Sequence, residues 1–229
     1  MFEAATKRNG SGLMKLVKDP AEQTTAVTDI ILALVACGGV LLLQWSPLKT
    51  GGPWRIPVWS GAIGLIGLAA ALGAVAHGLT LKPNHHNRIW QVLNLALSLA
   101  VSLFVVGVMN DLWGTELSQK ALPLVLLTGL GFYLTTLLYP GIFFVFIVYA
   151  VLALALAFGA YLFLAVKGVP GAAFMAGGVL LSILAAGLQA RKSIAFILIW
   201  KFDHNGIYHM VQTLGLLLLI AGLWISSIG

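Results

Sequence analysis

Two histidines and one carboxylate lie at the start of the last apolar segment of this chain, in the stretch KFDHNGIYHMVQ at residues 201–212. Asp203, His204 and His209 lie within it, and a further histidine, His77, lies near the end of a much earlier apolar segment. Neutral imidazoles bind zinc, and a catalytic zinc takes three protein ligands and leaves one position for water. His77 and His209 are therefore candidate zinc ligands. Asp203 and His204 are the candidates for the third position.

The third ligand depends on where the last helix begins. His204 precedes His209 by five residues, which on a continuous helix separates them by about 140° at ~100° per residue. If the helix begins at Asn205, His204 lies in the preceding loop and can fold back toward His209. Alternatively, Asp203 or Asn205 caps the helix, a common role for these residue types.

Other polar residues of the apolar segments lie toward the same end of the molecule. An ionisable group inside a membrane is costly unless it is paired, bound to metal or hydrated, so the set predicts a polar cavity. Asp29 is a candidate general base or a partner that orients a ligand. The supporting polar residues are Gln91, Asn94, Asn205 and Gln212.

Seven apolar segments must position these residues, because a helix needs about 20 apolar residues to cross the hydrocarbon of a bilayer. The sequence predicts an all-α bundle of seven transmembrane helices, with a tight turn at Pro140 between the fourth and the fifth. A further apolar stretch, 193–200, either prolongs the sixth helix or lies along the interface. The predicted spans are 26–43, 58–79, 89–110, 121–139, 141–166, 172–190 and 206–228.

The composition agrees with a membrane protein, since 60% of the 229 residues are apolar and 9% are charged. We expect a seven-helix domain over 26–229, preceded by a polar, basic segment, 1–25, in which GLMKLVKDP is a candidate amphipathic helix ending before Pro20. The net charge of +6 indicates juxtamembrane cations rather than nucleic-acid binding. Cys37 is the only cysteine, which excludes an internal disulfide and a cysteine-based metal site.

Basic residues set the predicted orientation. Of the 13 lysines and arginines, nine fall on the side of the N-terminus, including Lys82, Arg88, Arg191 and Lys201. Four fall on the other side: Lys49, Arg55, Lys120 and Lys167. The positive-inside rule then puts the N-terminus in the cytoplasm. We expect an integral protein of a bacterial inner membrane, in contact with lipids.

The chain resembles the CREST superfamily, which includes alkaline ceramidases and progestin/adiponectin-type receptors. The resemblance lies in the seven spans, a histidine at the end of helix two and a polar, histidine-containing start of helix seven. DHNGIYHMVQ in particular is similar to bacterial members of that group. The resemblance implies a seven-helix bundle in which one histidine of helix two and an HxxxH pair of helix seven bind zinc, with a serine of helix two and an aspartate near helix three. It also implies cleavage of amide or ester bonds in lipids.

The family pattern maps onto this chain in part. His77 matches the helix-two ligand, and His209 matches the second histidine of helix seven. The first histidine of that pair falls on Asn205, and the serine falls on Gly73. The aspartate has no acidic counterpart, and Asp29 is the candidate to supply a carboxylate from helix one instead.

Two functions follow. The first is a zinc-dependent intramembrane hydrolase of a lipid amide or ester, with a pocket near the cytoplasmic leaflet. The second is a non-catalytic bundle whose polar pocket serves lipid binding, sensing or assembly with a protein partner or a second copy. Haem ligation by His77 and His209 is a third interpretation. Transport is a fourth, although the sequence has no internal repeat and no polar path to the outer face.

Overall fold

Seven helices form the protein in the computed structural model, which describes residues 15–45, 52–139, 143–191, 195–197 and 200–228. Each is long and apolar enough to cross a membrane, which confirms the predicted all-α seven-helix class. The predicted turn at Pro140 lies outside the described residues. The helices are α1 (Pro20–Gln44), α2 (Gly52–Gly78), α3 (Pro83–Trp113), α4 (Thr115–Leu138), α5 (Phe143–Val166), α6 (Ala172–Ala190) and α7 (His204–Ile228).

Helix α1 begins at Pro20 rather than near residue 26. Asp19 caps the helix, because its side chain accepts a hydrogen bond from the Ala21 amide at 3.0 Å. Proline suits the first turn, where its missing N–H has no helical partner to lose. The first turn is therefore polar, and it extends the helix beyond its apolar part.

Two short antiparallel strand pairs lie in segments whose structure the sequence left open. Lys15–Leu16 (β1) pairs antiparallel with Leu79–Thr80 (β2). Lys15 and Leu16 are therefore extended, whereas the amphipathic-helix interpretation required them to be helical. Residues 1–14 of that segment lie outside the described part of the chain. Helix α6 ends at Ala190, and Phe196–Ile197 (β3) pairs with Lys201–Phe202 (β4) just before α7. The described residues of the stretch 193–200 are therefore not a continuation of α6.

The helices pack in chain order and close on themselves. Helix α1 contacts both α2 and α7, while α2 packs on α3, α6 packs on α7 and on α5, and α5 reaches back to α3. Helix α4 packs mainly on α3, and among its described residues only Ser118 and Gly129 are buried. This order brings the start of α1, the end of α2 and the start of α7 together.

Small residues allow several of these close contacts. At Gly178 a Cβ atom would lie 2.7 Å from the carbonyl oxygen of Gly215, so the backbones of α6 and α7 touch. At Gly67 a Cβ atom would lie 2.9 Å from that of Ala36, which brings α2 against α1. These glycines pack helices together, as small-xxx-small spacing predicts.

The middle of the bundle is apolar, with Leu32, Ala36, Val179 and Leu216 among its most buried residues. Polar side chains gather at its two ends. We call the end that carries Asp29, His77 and His209 the histidine end, and the opposite one, which carries Arg55 and Asp111, the arginine end. Both strand pairs lie at the histidine end, where Val17 N also donates to Gly78 O at 3.0 Å.

Candidate functional site

A buried carboxylate and a buried imidazole form the inner part of the histidine end. Asp29 of α1 is 2% exposed and His209 of α7 is 8% exposed. His209 Nδ1 lies 3.3 Å from Asp29 Oδ1. The other carboxylate oxygen, Oδ2, is buried and has no hydrogen-bond partner among the described residues. A buried polar atom without a partner is costly, so this oxygen marks a functional or strained position.

Thr28 stands beside the same pair. Its hydroxyl oxygen lies 3.4 Å from His209 Nδ1, and the hydroxyl donates to the Thr25 carbonyl at 2.9 Å. A nucleophile triad requires the hydroxyl and the carboxylate on different ring nitrogens. Here Thr28 and Asp29 both approach Nδ1, so these three residues do not form such a triad.

A glycine makes room for the Asp29 carboxylate. A Cβ atom at Gly73 of α2 would lie 2.6 Å from Asp29 Oδ2, closer than real Cβ atoms come to any heavy atom. The carboxylate of helix one therefore occupies the space that a side chain at residue 73 would take. Gly73 is the position onto which the family serine falls.

A second carboxylate–imidazole pair lies nearer the surface. His77 Nδ1 and Glu22 Oε2 are 2.6 Å apart and hydrogen-bonded. The indole of Trp90 from α3 contacts His77 edge to face, with ring centroids 5.6 Å apart. His77 is thus held by helix α1 on one side and by helix α3 on the other.

The two pairs adjoin each other, because the ring centroids of His77 and His209 are 6.5 Å apart. Side-chain exposure falls from 38% at Glu22 to 13% at His77. It falls further, to 10% at His209 and 3% at Asp29. The four groups, which we call the histidine cluster, therefore form a line of titratable side chains from the surface into the bundle.

Asp203, just before helix α7, stabilises the start of that helix. Asp203 Oδ1 accepts from the amides of Asn205 at 3.0 Å and Gly206 at 2.9 Å, so Asp203 caps α7. The same oxygen accepts from Thr25 Oγ1 at 2.9 Å, which ties the start of α7 to α1. In the described contacts, His204 reaches neither imidazole ring.

The polar amides lie away from the histidine cluster. Gln189 Nε2 of α6 donates to Asn205 Oδ1 at 3.4 Å. Gln212 Nε2 donates to Ser182 Oγ at 3.1 Å, again between α7 and α6. Gln91 and Asn94 of α3 make no side-chain hydrogen bond within the part of the chain that the structure describes.

The structure has only part of the geometry that zinc binding requires. His77 and His209 are adjacent, and each has a carboxylate at Nδ1, the arrangement that orients metal-binding histidines in proteins. However, among the described residues no group of three or more His, Cys, Asp or Glu side chains converges so as to hold a metal ion. Asp203 is engaged as a helix cap. The side chains thus do not form the three-ligand set that a catalytic zinc requires.

Sequence reasoning missed Glu22, Thr25 and Trp90. The signal for the first two was present, because Glu22, Thr25 and Asp29 follow the i, i+3, i+7 spacing of one helix face. Hydropathy predicts that the first span begins at residue 26, so Glu22 and Thr25 fall before the predicted helix and the spacing is not apparent. For Trp90, the sequence indicated only an aromatic residue near a membrane interface.

Comparisons with known proteins give a family but no activity. Residues 24–226 match the model of a family whose description, "Family of unknown function", states no reaction or ligand. The match includes Asp29, His77 and His209. No curated protein and no solved structure matches the chain.

Proposed function

The chain belongs to that family, DUF6962, and we propose that its histidine cluster is a proton-binding site through which this membrane protein senses pH. The observation that carries the proposal is the buried Asp29 carboxylate. One of its oxygens faces His209 Nδ1 at 3.3 Å, and the other has no partner among the described groups.

The Asp29–His209 pair can hold a proton on either partner. It exists as a carboxylic acid beside a neutral imidazole, or as a carboxylate beside an imidazolium. In the first state the acid O–H at Oδ1 can donate to His209 Nδ1, and Oδ2 becomes an uncharged carbonyl oxygen, which costs less to bury without a partner than a charged carboxylate oxygen does. The two states differ in charge distribution, so small changes in the surroundings shift the balance between them.

Glu22 and His77 give this pair a route to water. Glu22 is partly exposed and hydrogen-bonded to His77. The 6.5 Å between the two ring centroids is short enough for ring rotation or one bridging water to pass a proton. The titratable groups facing this route are Glu22 and Asp29 from α1, His77 from α2, Asp203 just before α7, and His209 with the neighbouring Tyr208 from α7.

Protonation at this place acts on the packing of three helices. Asp29 belongs to α1, lies against Gly73 of α2 and faces His209 of α7. A change in the charge of the pair therefore changes the attraction between α1 and α7. With the N-terminus in the cytoplasm, as the basic residues predict, the protein responds to cytoplasmic pH.

Infrared difference spectra of the full chain in lipid nanodiscs test the proposal. As the pH rises from mildly acidic to mildly alkaline, we expect a carbonyl band typical of a carboxylic acid shielded from water to lose intensity. Asp29→Asn should remove this band. Asp19→Asn is the matched control on the same helix, because asparagine caps a helix as well as aspartate does, and it should leave the band in place.

Either of two results would show that the proposal is wrong. One is the absence of such a band from the wild-type protein. The other is its persistence in Asp29→Asn. Glu22→Gln separates the two carboxyl groups, since it should slow proton exchange at Asp29 without removing the band.

The zinc-dependent lipid amidase or esterase is the second candidate. The observation that favours it is the pair of carboxylates at Nδ1 of His77 and His209, which leaves Nε2 of each ring as the metal-binding atom. It also requires a third ligand, for which His204 and Asp203 are the candidates. We expect about one zinc per purified chain, and none in His77→Ala/His209→Ala. Zinc-free wild-type protein, or equal zinc in the double variant, would rule it out.

A further inference from the structure

The arginine end contains a cavity of about 440 Å³ that is lined by both polar and apolar residues. The polar ones are Arg55, Asn110, Asp111, Thr115, Tyr161 and Ser226. We propose that this cavity is a binding site for a neutral, membrane-soluble molecule whose carbonyl oxygen accepts hydrogen bonds from Arg55. The site lies at the other end of the bundle from the histidine cluster and is independent of it.

An ion pair between neighbouring helices builds the polar wall of the cavity. Arg55 of α2 donates from Nε to Asp111 Oδ1 at 2.7 Å and from Nη2 to Oδ2 at 3.1 Å. Its Nη1 donates to Ser226 Oγ of α7 at 2.8 Å. The side chains of Arg55 and Asp111 are only 12% and 7% exposed. The predicted second span begins at residue 58 and leaves Arg55 in a loop, whereas in the structure Arg55 lies in the first turns of α2.

Asp111 is fully engaged. Besides the guanidinium, its carboxylate accepts from the Tyr161 hydroxyl at 3.0 Å and from Asn110 Nδ2 at 3.4 Å. A carboxylate with four donors has little capacity left for a ligand. Of the two charged groups of this wall, Arg55 is therefore the one that can bind a ligand.

Arg55 has hydrogen-bonding capacity left. A guanidinium carries about five N–H donors, and the bonds to Asp111 and Ser226 use three of them. Two donors remain on a side chain that lines the cavity. An oxygen acceptor placed in the cavity can use them.

The charges at this end favour a neutral ligand. The positive charge of Arg55 is already matched by Asp111, so an anion would meet attraction and repulsion of similar size and would lose its hydration. A carbonyl oxygen accepts the same hydrogen bonds at less desolvation cost. Leu164, Val169 and Met175 are among the apolar residues that line the cavity, which suits the apolar body of a membrane-soluble molecule.

Carbonyls of this kind occur in the rings of membrane quinones and in the ester groups of phospholipids. The volume lies in the range of about 300–1,000 Å³ that is usual for small-molecule pockets. Both sources share the same chemistry, so the experiment includes one probe for each.

Thermal unfolding of the full chain in lipid-free detergent measures binding, because a ligand that binds only the folded state raises Tm. The carbonyl probes are decylubiquinone and a short-chain diacyl phosphatidylcholine, and the anion probes are acetate and inorganic phosphate. We expect at least one carbonyl probe to raise Tm in a saturable manner, with little effect of the anions.

Two variants locate the binding. Val169→Phe should fill the mouth of the cavity, since Val169 lines it and is 41% exposed. It should raise the apparent Kd by about tenfold or more without touching the ion pair. Val166→Phe is the matched control, because Val166 is 87% exposed and does not line the cavity.

A response to decylubiquinone alone, to phosphatidylcholine alone or to both supports the site, provided that Val169→Phe removes it and Val166→Phe retains it. Three results overturn the proposal: no response to either carbonyl probe, an unchanged response in Val169→Phe, or a larger Tm rise with acetate or phosphate than with the carbonyl probes.

Discussion

At the scale of single residues, the position of Asp29 depends on the absence of a side chain at Gly73. A membrane protein can bury a carboxylate only where space and a partner are both provided. His209 provides the partner, with its Nδ1 at 3.3 Å. Gly73 provides the space, since its missing Cβ would stand 2.6 Å from the carboxylate.

Gly73→Ala should therefore displace Asp29. We expect the free energy of unfolding to fall by about 1–3 kcal/mol, as for overpacking in other cores. Gly38→Ala is the matched control on α1, because a Cβ atom there meets nothing within 4 Å. It should be neutral or stabilising by about 0.5–1 kcal/mol. Equal unfolding midpoints for the two variants in detergent would contradict the role given to Gly73.

At the scale of the element, the start of α7 combines local and long-range contacts. Asp203 caps the helix through the amides of Asn205 and Gly206, and it also binds Thr25 of α1. The cap fixes the helix start at a point where His209 lies more than one turn inside. The geometry of the histidine cluster thus depends on a residue that does not touch either imidazole.

Asp203→Ala should lower stability by about 0.5–2 kcal/mol, the usual cost of losing a helix cap, and should speed amide exchange at Asn205 and Gly206. Asp203→Asn keeps an acceptor oxygen and should behave like the wild type. Amide hydrogen exchange by mass spectrometry measures both. Rapid exchange in Asp203→Asn would contradict the capping role and would point instead to a requirement for the negative charge.

At the scale of the whole molecule, the two polar ends are separated by an apolar middle that contains Leu32, Ala36 and Leu216. The arginine end joins four helices, because Arg55, Asp111, Tyr161 and Ser226 belong to α2, α3, α5 and α7. The histidine cluster joins α1, α2 and α7. The bundle is thus held together by polar contacts at both ends and by small-residue packing between them.

Arg55→Ala should destabilise the whole bundle, because it leaves Asp111 buried without its counter-charge. The expected loss is about 3–5 kcal/mol. Lys120→Ala is the control, since Lys120 and Glu116 form a pair whose side chains are 71% and 84% exposed. Exposed pairs contribute about 0–1 kcal/mol. Denaturant unfolding compares the two, and similar losses would contradict the difference in burial.

The orientation of the molecule is open to a direct test. Nine of the 13 lysines and arginines fall on the side of the N-terminus, which predicts an N-terminus in the cytoplasm and a C-terminus on the other side. A fusion of alkaline phosphatase after residue 228 should therefore be active in bacterial cells, and a fusion of green fluorescent protein there should be dark. The opposite pair of results would reverse the topology.

The sequence determined the class of this protein, because the cost of exposing polar backbone to lipid leaves long apolar segments little choice but helices. It gave all seven spans within a few residues at most ends. It missed the polar first turns of α1, which Asp19 and Pro20 start, since hydropathy does not register capping. It also singled out Asp29, His77 and His209, because ionisable residues are conspicuous in an apolar sequence.

Only the tertiary structure decided which of these residues meet. The pairing of His77 with Glu22 and of His209 with Asp29 depends on how α1, α2 and α7 rotate about their axes. That rotation follows from small-residue packing over the whole length of the helices, which no local pattern encodes. Because of the same packing, Arg55 is a buried partner of Asp111, although its place before the predicted second span indicated a loop cation. Periodicity shows which residues share a face of one helix, but the contacts between helices come from the sum of many weak interactions.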